Sequence, residues 1–197
     1  MKIIGVTGKY CTGKSTVSAM IAERGYMAID VDSLGHQALE SSKDVLVENF
    51  SETILRPDTS IDRKVLGSIV FSDEKHLKTL ERIVHPKMVE MTLELINRER
   101  DKGCKAVIVN AALLHRMHLD VHCNILCYVK SPLLIRYSRA KVRDNATCKS
   151  FIRMQKAQRD INMSNFDGDS DIYIFNNGTK NGFIHRQVDE FCITIGI

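Results

Sequence analysis

The stretch Gly8-Lys9-Tyr10-Cys11-Thr12-Gly13-Lys14-Ser15 matches the spacing G-x-x-x-x-G-K-[ST], which is typical of loops that bind phosphate. It follows an apolar segment at residues 2–7 (KIIGVT), which predicts a buried strand, and it opens a segment with helical periodicity at residues 14–24. Gly8 permits a tight turn, and Gly13 can take backbone angles that a side chain forbids. The N–H groups from Lys9 to Thr16 are then expected to face phosphate oxygens at a helix N-terminus. The residues expected to contact a nucleotide in this loop are Gly8, Lys9, Tyr10, Cys11, Thr12, Gly13, Lys14, Ser15 and Thr16.

Two side chains at the end of this loop have separate expected roles. Lys14 supplies positive charge to the β- and γ-phosphates, and the Ser15 hydroxyl is a candidate ligand of Mg²⁺. The motif predicts nucleotide binding, but alone it does not distinguish a kinase from a switch GTPase or a motor ATPase. No Asn-Lys-x-Asp motif for reading guanine follows the middle strands, which argues against a switch GTPase.

The composition is that of an ordinary soluble protein. The 197 residues suffice for one α/β domain with an insertion, and 44% are hydrophobic and 26% charged. No apolar run approaches the ~18 residues that span a bilayer, and the N-terminal apolar stretch is too short for a signal peptide. We therefore expect a cytoplasmic protein without a membrane partner, in which the six cysteines are reduced thiols. The net charge of +4 is too mild to require a polyanionic partner.

Strands and helices alternate along the chain, which predicts a parallel sheet covered by helices on both faces. Four further short strands are expected at residues 26–30, 106–109, 124–129 and 172–175. Residues 1–32 and 103–197 would form the core, and residues 33–102 a helical insertion that binds substrate. Within the insertion, Pro86 is expected to interrupt a helix. A basic helical segment at residues 136–160 contains a break, after which Thr147 can cap the second part.

An acidic pair follows the second predicted strand. Asp30 and Asp32 lie at the carboxyl end of this strand, the end where open parallel sheets bind their ligands. We expect the strand to end at Asp30 and Asp32 to open the next loop, where it is the stronger candidate for the base that orients an acceptor hydroxyl. The alternative interpretation is that one or both of them cap the following helix.

Taken together, these residues resemble the dephospho-CoA kinase family over almost the whole chain. Beyond the phosphate loop, the most discriminating matches are the step Ile29-Asp30-Val31-Asp32 and the pair His85-Pro86. Other matching positions include His36, Ile61-Asp62-Arg63, Leu113-Leu114, Arg143-Asp144 with Gln158 fifteen residues later, Asp171 and Asn177-Gly178.

The resemblance implies a P-loop kinase fold with a five-stranded parallel sheet flanked by helices, a helical insertion that binds the coenzyme A precursor, and a lid at residues 136–160. It implies transfer of the γ-phosphoryl group of ATP to the 3′-hydroxyl of dephospho-CoA, with Mg²⁺, in a monomer or small homo-oligomer that needs no nucleic acid. By the same resemblance, the catalytic residues are Asp32, Lys14 and Arg143, the adenine lies near Asn177, and the substrate side includes Asp32, His36, Arg63 and His85.

The sequence also departs from the family pattern. The interior of the phosphate loop has no glycine, and after the third strand Asn110, Ala112 and Arg116 stand where the family tends to have Asp, Pro and Glu. The spacing also leaves open whether Arg139 or Arg143 takes the position of the lid arginine. The alternatives are therefore another small-metabolite or nucleoside-monophosphate kinase, or a nucleotide-binding relative with weak or no transfer activity. We interpret the histidines at 115, 118 and 122 as a surface cluster rather than a zinc site.

Overall fold

The computed structural model describes residues 1–166, 170–178 and 183–197. Its centre is a parallel sheet with the strand order β2-β3-β1-β4-β5. Every neighbouring pair in this sheet is parallel, as the alternating pattern predicts. The strands are β1 (Lys2–Thr7), β2 (Met27–Asp30), β3 (Ala106–Asn110), β4 (Ile125–Lys130) and β5 (Asp171–Asn176).

The sheet is held by apolar packing between its strands and two helices, α1 (Lys14–Ala22) and α8 (Phe183–Ile195). The inner strands are almost continuously buried, which is the expected pattern for strands covered on both faces. From α1, Val17 and Ile21 are fully buried in this core. The register pairs Asn110 at the end of β3 with both Val6 and Asp30, so three strands end at one edge of the sheet. That edge carries the loops described below.

The described chain divides into two compact units. One comprises Met1–Asp30 and Leu95–Ile197 and contains the sheet, and the other comprises Val31–Glu94, whereas the sequence placed the insertion at residues 33–102. The helices that begin in the second unit are α2 (Val31–Ser41), α3 (Lys43–Phe50), α4 (Arg63–Val70) and α5 (Glu74–Asp101).

Pro86 does not interrupt its helix, contrary to the prediction. It lies inside α5, which continues through 28 residues. A proline removes one backbone hydrogen bond from a helix interior, and the long apolar face on either side of it outweighs this loss. Within the second unit, Val84 and Met88 of this helix are buried on either side of the proline.

The basic segment forms two helices, α6 (Leu133–Asp144) and α7 (Cys148–Ala157), as the predicted break requires. Asn145 ends α6 in the left-handed conformation with φ 50°. The hydroxyl of Thr147 then accepts a hydrogen bond from the N–H of Ser150, which confirms Thr147 as the cap of α7. In the described part of the chain, no helix is long and apolar enough to cross a membrane.

Candidate active site

The phosphate loop connects β1 to α1, and its two motif glycines are required by close contacts. A Cβ at Gly8 would lie 2.4 Å from the carbonyl oxygen of Val129, and a Cβ at Gly13 would lie 2.0 Å from Nδ2 of Asn177. Both glycines also have positive φ, at 153° and 96°. Gly13 is the residue before α1, so its left-handed conformation starts the helix. The N–H groups of Ser15 and Thr16 lie in the first turn, where a helix offers no acceptor.

The interior of the loop has the required shape without glycine. Cys11 has φ 61°, in the left-handed region that costs a side-chain-bearing residue about 1–3 kcal/mol. The N–H and the hydroxyl of Thr12 both donate to the carbonyl of Lys9, at 3.3 and 2.9 Å, which closes the turn. The left-handed conformation of Cys11, in a loop whose interior has no glycine, is therefore strained, and contacts from the surroundings of the loop stabilise it.

Those surroundings come from α6, from the residues just after β5 and from the end of α7. Nε of Arg136 donates to the carbonyl of Tyr10 at 2.8 Å, and Arg139 donates to the carbonyls of Cys11 and Thr12 at 3.4 and 3.2 Å. Nδ2 of Asn177 also donates to the carbonyl of Thr12, at 2.9 Å. Three successive carbonyls are thus bound on one side of the loop.

Two N–H groups of the loop have acceptors within the protein, since that of Thr12 donates to Lys9, as described above, and that of Tyr10 donates to Gln158. The N–H of Tyr10 donates to Oε1 of Gln158 at 2.6 Å, just beyond α7. The sequence predicted that the N–H groups from Lys9 to Thr16 face phosphate oxygens, and for Tyr10 and Thr12 the structure contradicts this. Because Gln158 accepts from the N–H of Tyr10, the end of α7 contacts the phosphate loop directly.

An open cavity of about 490 Å³ lies beside the loop, between α1, α6 and the residues after β5. The side chains of Arg139 and Arg143 bring two positive charges to it, which suits an anionic ligand. Its lining residues are Cys11, Gly13, Thr16, Ser138, Arg139, Val142, Arg143 and Asn177.

The two arginines of α6 have different environments. Besides the loop carbonyls, Arg139 donates to the hydroxyl of Ser131 and to the carbonyl and Oδ1 of Asn177. Arg143 instead pairs with its neighbour Asp144, with NH2 2.8 Å from Oδ2. Arg139 was not among the predicted site residues, although its position one helical turn before Arg143 was a usable indication. Each polar atom of the Asn177 side chain has a partner, since its Nδ2 donates to the carbonyl of Thr12 and its Oδ1 accepts from Arg139.

Asn110 lies next to the start of α1 at the carboxyl edge of the sheet. Its Nδ2 is 3.4 Å from the hydroxyl oxygen of Ser15. Asn110 is 6% exposed, and its Oδ1 has no hydrogen-bond partner among the described residues. A buried polar atom without a partner is costly, and such atoms commonly face water or an ion. The residue that departs from the family pattern is therefore adjacent to the candidate metal ligand.

Arg116 has a role that the sequence did not predict. Its guanidinium binds both oxygens of Asp160, at 2.6 and 2.7 Å, and donates to the carbonyl of Ala157 at the end of α7. Nε2 of His115 lies 2.9 Å from the same carboxylate. Arg116, and secondarily His115, hold the pKa of Asp160 well below its usual range.

The predicted surface cluster of histidines is only partly correct. The side chain of His115 is 10% exposed and packs edge-on against Phe166, while His118 and His122 are exposed. Among the described residues, no group of three or more His, Cys, Asp or Glu side chains is arranged to hold a metal ion.

The predicted substrate residues Asp32, His36, Arg63 and His85 all belong to the unit Val31–Glu94. Asp32 was predicted to open a loop, and this is wrong. It is in the first turn of α2, where an acidic side chain is stabilised by the helix dipole. His36 follows one turn later, so both exposed side chains lie on one face of α2.

The two other predicted substrate residues lie on different helices of this unit. Arg63 is the first residue of α4, after the cap Asp62. His85 lies on α5, one turn before Met88. A Cβ added at Gly35 of α2 would lie 3.7 Å from the Met88 side chain, so α2 and α5 are in contact near His85.

The parallel sheet, the glycine-bounded phosphate loop and the arginine-bearing helices over it define a P-loop kinase. The family model described as dephospho-CoA kinase matches residues 2–181. The dephospho-CoA kinase of Treponema pallidum is 30% identical over 194 residues, covering 95% of this chain and 92% of the relative. That of Fusobacterium nucleatum is 32% identical over 197 residues and covers 98% of both chains. The chain belongs to the dephospho-CoA kinase family.

A solved structure supports the same architecture. The crystal structure of TT1252 from Thermus thermophilus has a TM-score of 0.82 and 25% sequence identity, and the match covers 98% of this chain and 97% of that one. The predicted fold class is therefore confirmed.

Proposed function

We propose that this protein transfers the γ-phosphoryl group of ATP to the 3′-hydroxyl of dephospho-CoA, which yields ADP and coenzyme A, the last step of coenzyme A biosynthesis. The observation that carries the proposal is the family match over residues 2–181, together with a phosphate loop that is held beside a cationic cavity. Phosphoryl transfer depends mainly on positioning and on neutralising charge, and both are available here.

Positive charge at the transferring group comes from Lys14 and from α6. Lys14 is the first residue of α1, so its ammonium and the helix dipole act on the same phosphates. The carbonyls of the loop accept hydrogen bonds from Arg139 and so hold its guanidinium beside the loop. Arg143 lines the same cavity and is the residue proposed to contact the transferring phosphates.

The oxygen atoms near the start of α1 fit a magnesium ion. Mg²⁺ usually binds one or two protein oxygens, substrate phosphates and several waters, so it needs no cluster of acidic residues. The hydroxyl of Ser15 would hold the ion, and the unpartnered Oδ1 of Asn110 would accept from one of its waters. When bound, the ion would neutralise charge on the β- and γ-phosphate oxygens.

The acceptor side is proposed for the helical unit. Asp32 would orient the 3′-hydroxyl and take up its proton, and His36 lies on the same face of α2. Arg63 and His85 would bind anionic parts of the substrate. The proposed setting is cytoplasmic, in a monomer or small homo-oligomer that acts without nucleic acid.

A coupled ADP-release assay with ATP, Mg²⁺ and a panel of acceptors tests this function. We expect ADP release that depends on dephospho-CoA and is slower with nucleoside monophosphates and small hydroxylated metabolites. A higher rate with another acceptor would identify a different small-molecule kinase. ATP binding without acceptor-dependent ADP release would identify a nucleotide-binding relative.

A variant pair tests the role of Asp32. Asp32→Asn is expected to lower kcat by about 10²–10⁴-fold, because the acceptor proton loses its base. Asp44→Asn is the matched control, since Asp44 is likewise an acidic residue in the first turn of a helix. Equal activity of the two variants would remove Asp32 from the mechanism.

A further inference from the structure

Tyr10, inside the phosphate loop, connects this loop to both helices of the lid. Its N–H donates to Gln158 and its carbonyl accepts from Arg136, while its ring packs against Phe151 of α7 with 6.2 Å between centroids. Its hydroxyl donates to the carboxylate of Asp144 at the end of α6. Burial and the bond to Asp144 raise the pKa of Tyr10 to about 12, so the hydroxyl stays a donor.

The same carboxylate also binds Arg143. Nε of Arg143 lies 3.0 and 3.1 Å from the two oxygens of Asp144, and NH2 lies 2.8 Å from Oδ2. The guanidinium carbon is also 5.3 Å from the centroid of the Tyr10 ring, within the range of a cation–π contact. The bond to Asp144 raises the pKa of Arg143, and that to Arg143 lowers the pKa of Asp144.

These contacts give the two cavity arginines different availability for a ligand. Arg139 is held by neutral carbonyl, amide and hydroxyl oxygens, and no carboxylate of the described residues pairs with it. The charge of Arg143 is compensated by a carboxylate, and its side chain remains 62% exposed. Guanidinium groups bind phosphate and carboxylate in the same bidentate way, so the two anions are alternatives for Arg143.

We propose that Asp144, oriented by the hydroxyl of Tyr10, competes with the phosphates of a bound nucleotide for Arg143. Asp144 and Tyr10 are then positioning residues that set the affinity for nucleotide, and they do so only through Arg143. This inference rests on the proposed role of Arg143 as a phosphate ligand. It extends that role by assigning a function to the tyrosine in the loop, which the P-loop motif itself does not require.

The test is a double-mutant cycle that measures the dissociation constant of a non-hydrolysable ATP analogue with Mg²⁺ by calorimetry. Exposed ion pairs are weak, so Asp144→Asn is expected to tighten binding by about two- to fivefold, and Arg143→Ala to weaken it. In the Arg143→Ala background, Asp144→Asn is expected to change nothing. A gain of equal size in both backgrounds would reflect the general loss of a negative charge and would overturn the proposal, as would unchanged or weaker binding in Asp144→Asn.

Tyr10→Phe tests the orienting hydroxyl while keeping the ring beneath Arg143. We expect a smaller gain in affinity in the same direction, which also disappears in the Arg143→Ala background, because Asp144 is less well oriented. Unchanged affinity would remove Tyr10 from the proposal. A thermal melt of each variant identifies unfolded protein, and the cycle needs no acceptor, so its failure is distinguishable from failure of dephospho-CoA phosphorylation.

Discussion

Two loops at the carboxyl edge of the sheet contrast in how their shape is determined. The phosphate loop after β1 has a local requirement that its own sequence displays, because Gly8 and Gly13 both have positive φ, and the atoms that a side chain there would meet belong to Val129 and Asn177. The loop after β3 is shaped by distant contacts, because Arg116 binds Asp160, 44 residues away in the chain. Both loops nevertheless contact the end of α7, one through Gln158 and the other through Asp160.

This contrast explains what could be predicted from the sequence. The phosphate loop, the five strands and the cap at Thr147 can be recognised from residues close in sequence, through the spacing of glycines and apolar residues and the type of the capping residue. The partner of Arg116 could not be predicted, because the distance between two sequence positions in space depends on the completed fold. The bond between Tyr10 and Gln158 could not be predicted for the same reason, since these residues are also far apart in the chain.

The errors have local causes. Asp32 was expected to open a loop after a strand that ends at Asp30, but α2 begins directly after that strand, with Val31. Pro86 was expected to interrupt its helix from propensity alone, and packing along α5 overrides that propensity. The proposed roles of Arg63, His36 and His85 come from family resemblance and remain predictions.

The largest effect that sharpens the contrast is expected for Gly13→Ala. The new Cβ would lie 2.0 Å from Nδ2 of Asn177, and the alanine would have to adopt a φ of 96°, which residues with a side chain rarely adopt. The loop must therefore shift. We expect the dissociation constant for ATP to rise about tenfold or more, measured by calorimetry. Gly178→Ala is the control, because no atom of the described residues lies within 4 Å of its added Cβ, and it should bind like the wild type. Equal loss in both variants would contradict a loop shaped by Gly13.

Asn110→Asp tests the junction of the two loops and should have the next largest effect. A buried carboxylate beside Ser15 would lack a cation, so we expect a lower melting temperature without Mg²⁺. With ADP and Mg²⁺ the loss should reverse, and the affinity for the ion should rise about tenfold, as measured by titration with ADP present. Destabilisation that Mg²⁺ does not relieve would argue against a metal site at Ser15.

Arg116→Met breaks the contact that shapes the loop after β3. We expect a loss of about 1–2 kcal/mol in the free energy of unfolding at neutral pH, measured by urea denaturation. The lowered pKa of Asp160 contributes stability that is fully present above the unfolded pKa of 3.8 and is lost progressively as the pH falls toward the folded pKa. The difference between variant and wild type should therefore shrink as the pH falls below 3.8. Arg24→Met removes the more exposed pair with Asp189 and should cost less. A loss independent of pH would contradict the ion pair.

The smallest effect is expected at the start of α7, the end of this helix that is opposite to its contacts with the two loops. Thr147→Ala removes the side-chain cap of this helix and should cost about 1 kcal/mol in the free energy of unfolding. Ser42→Ala is the matched control, because Ser42 precedes α3 without a capping bond from its side chain. Equal losses in the two variants would mean that the Thr147 bond adds nothing to the stability of α7.

The most direct test of the central claim is ³¹P NMR of the products formed from ATP and dephospho-CoA with Mg²⁺. Transfer to the 3′-hydroxyl predicts a new phosphomonoester resonance that couples to the ribose H3′ proton and grows in step with ADP. Asp32→Asn should form the same product far more slowly. ADP formed with inorganic phosphate alone, or a phosphomonoester at another position, would contradict the assignment.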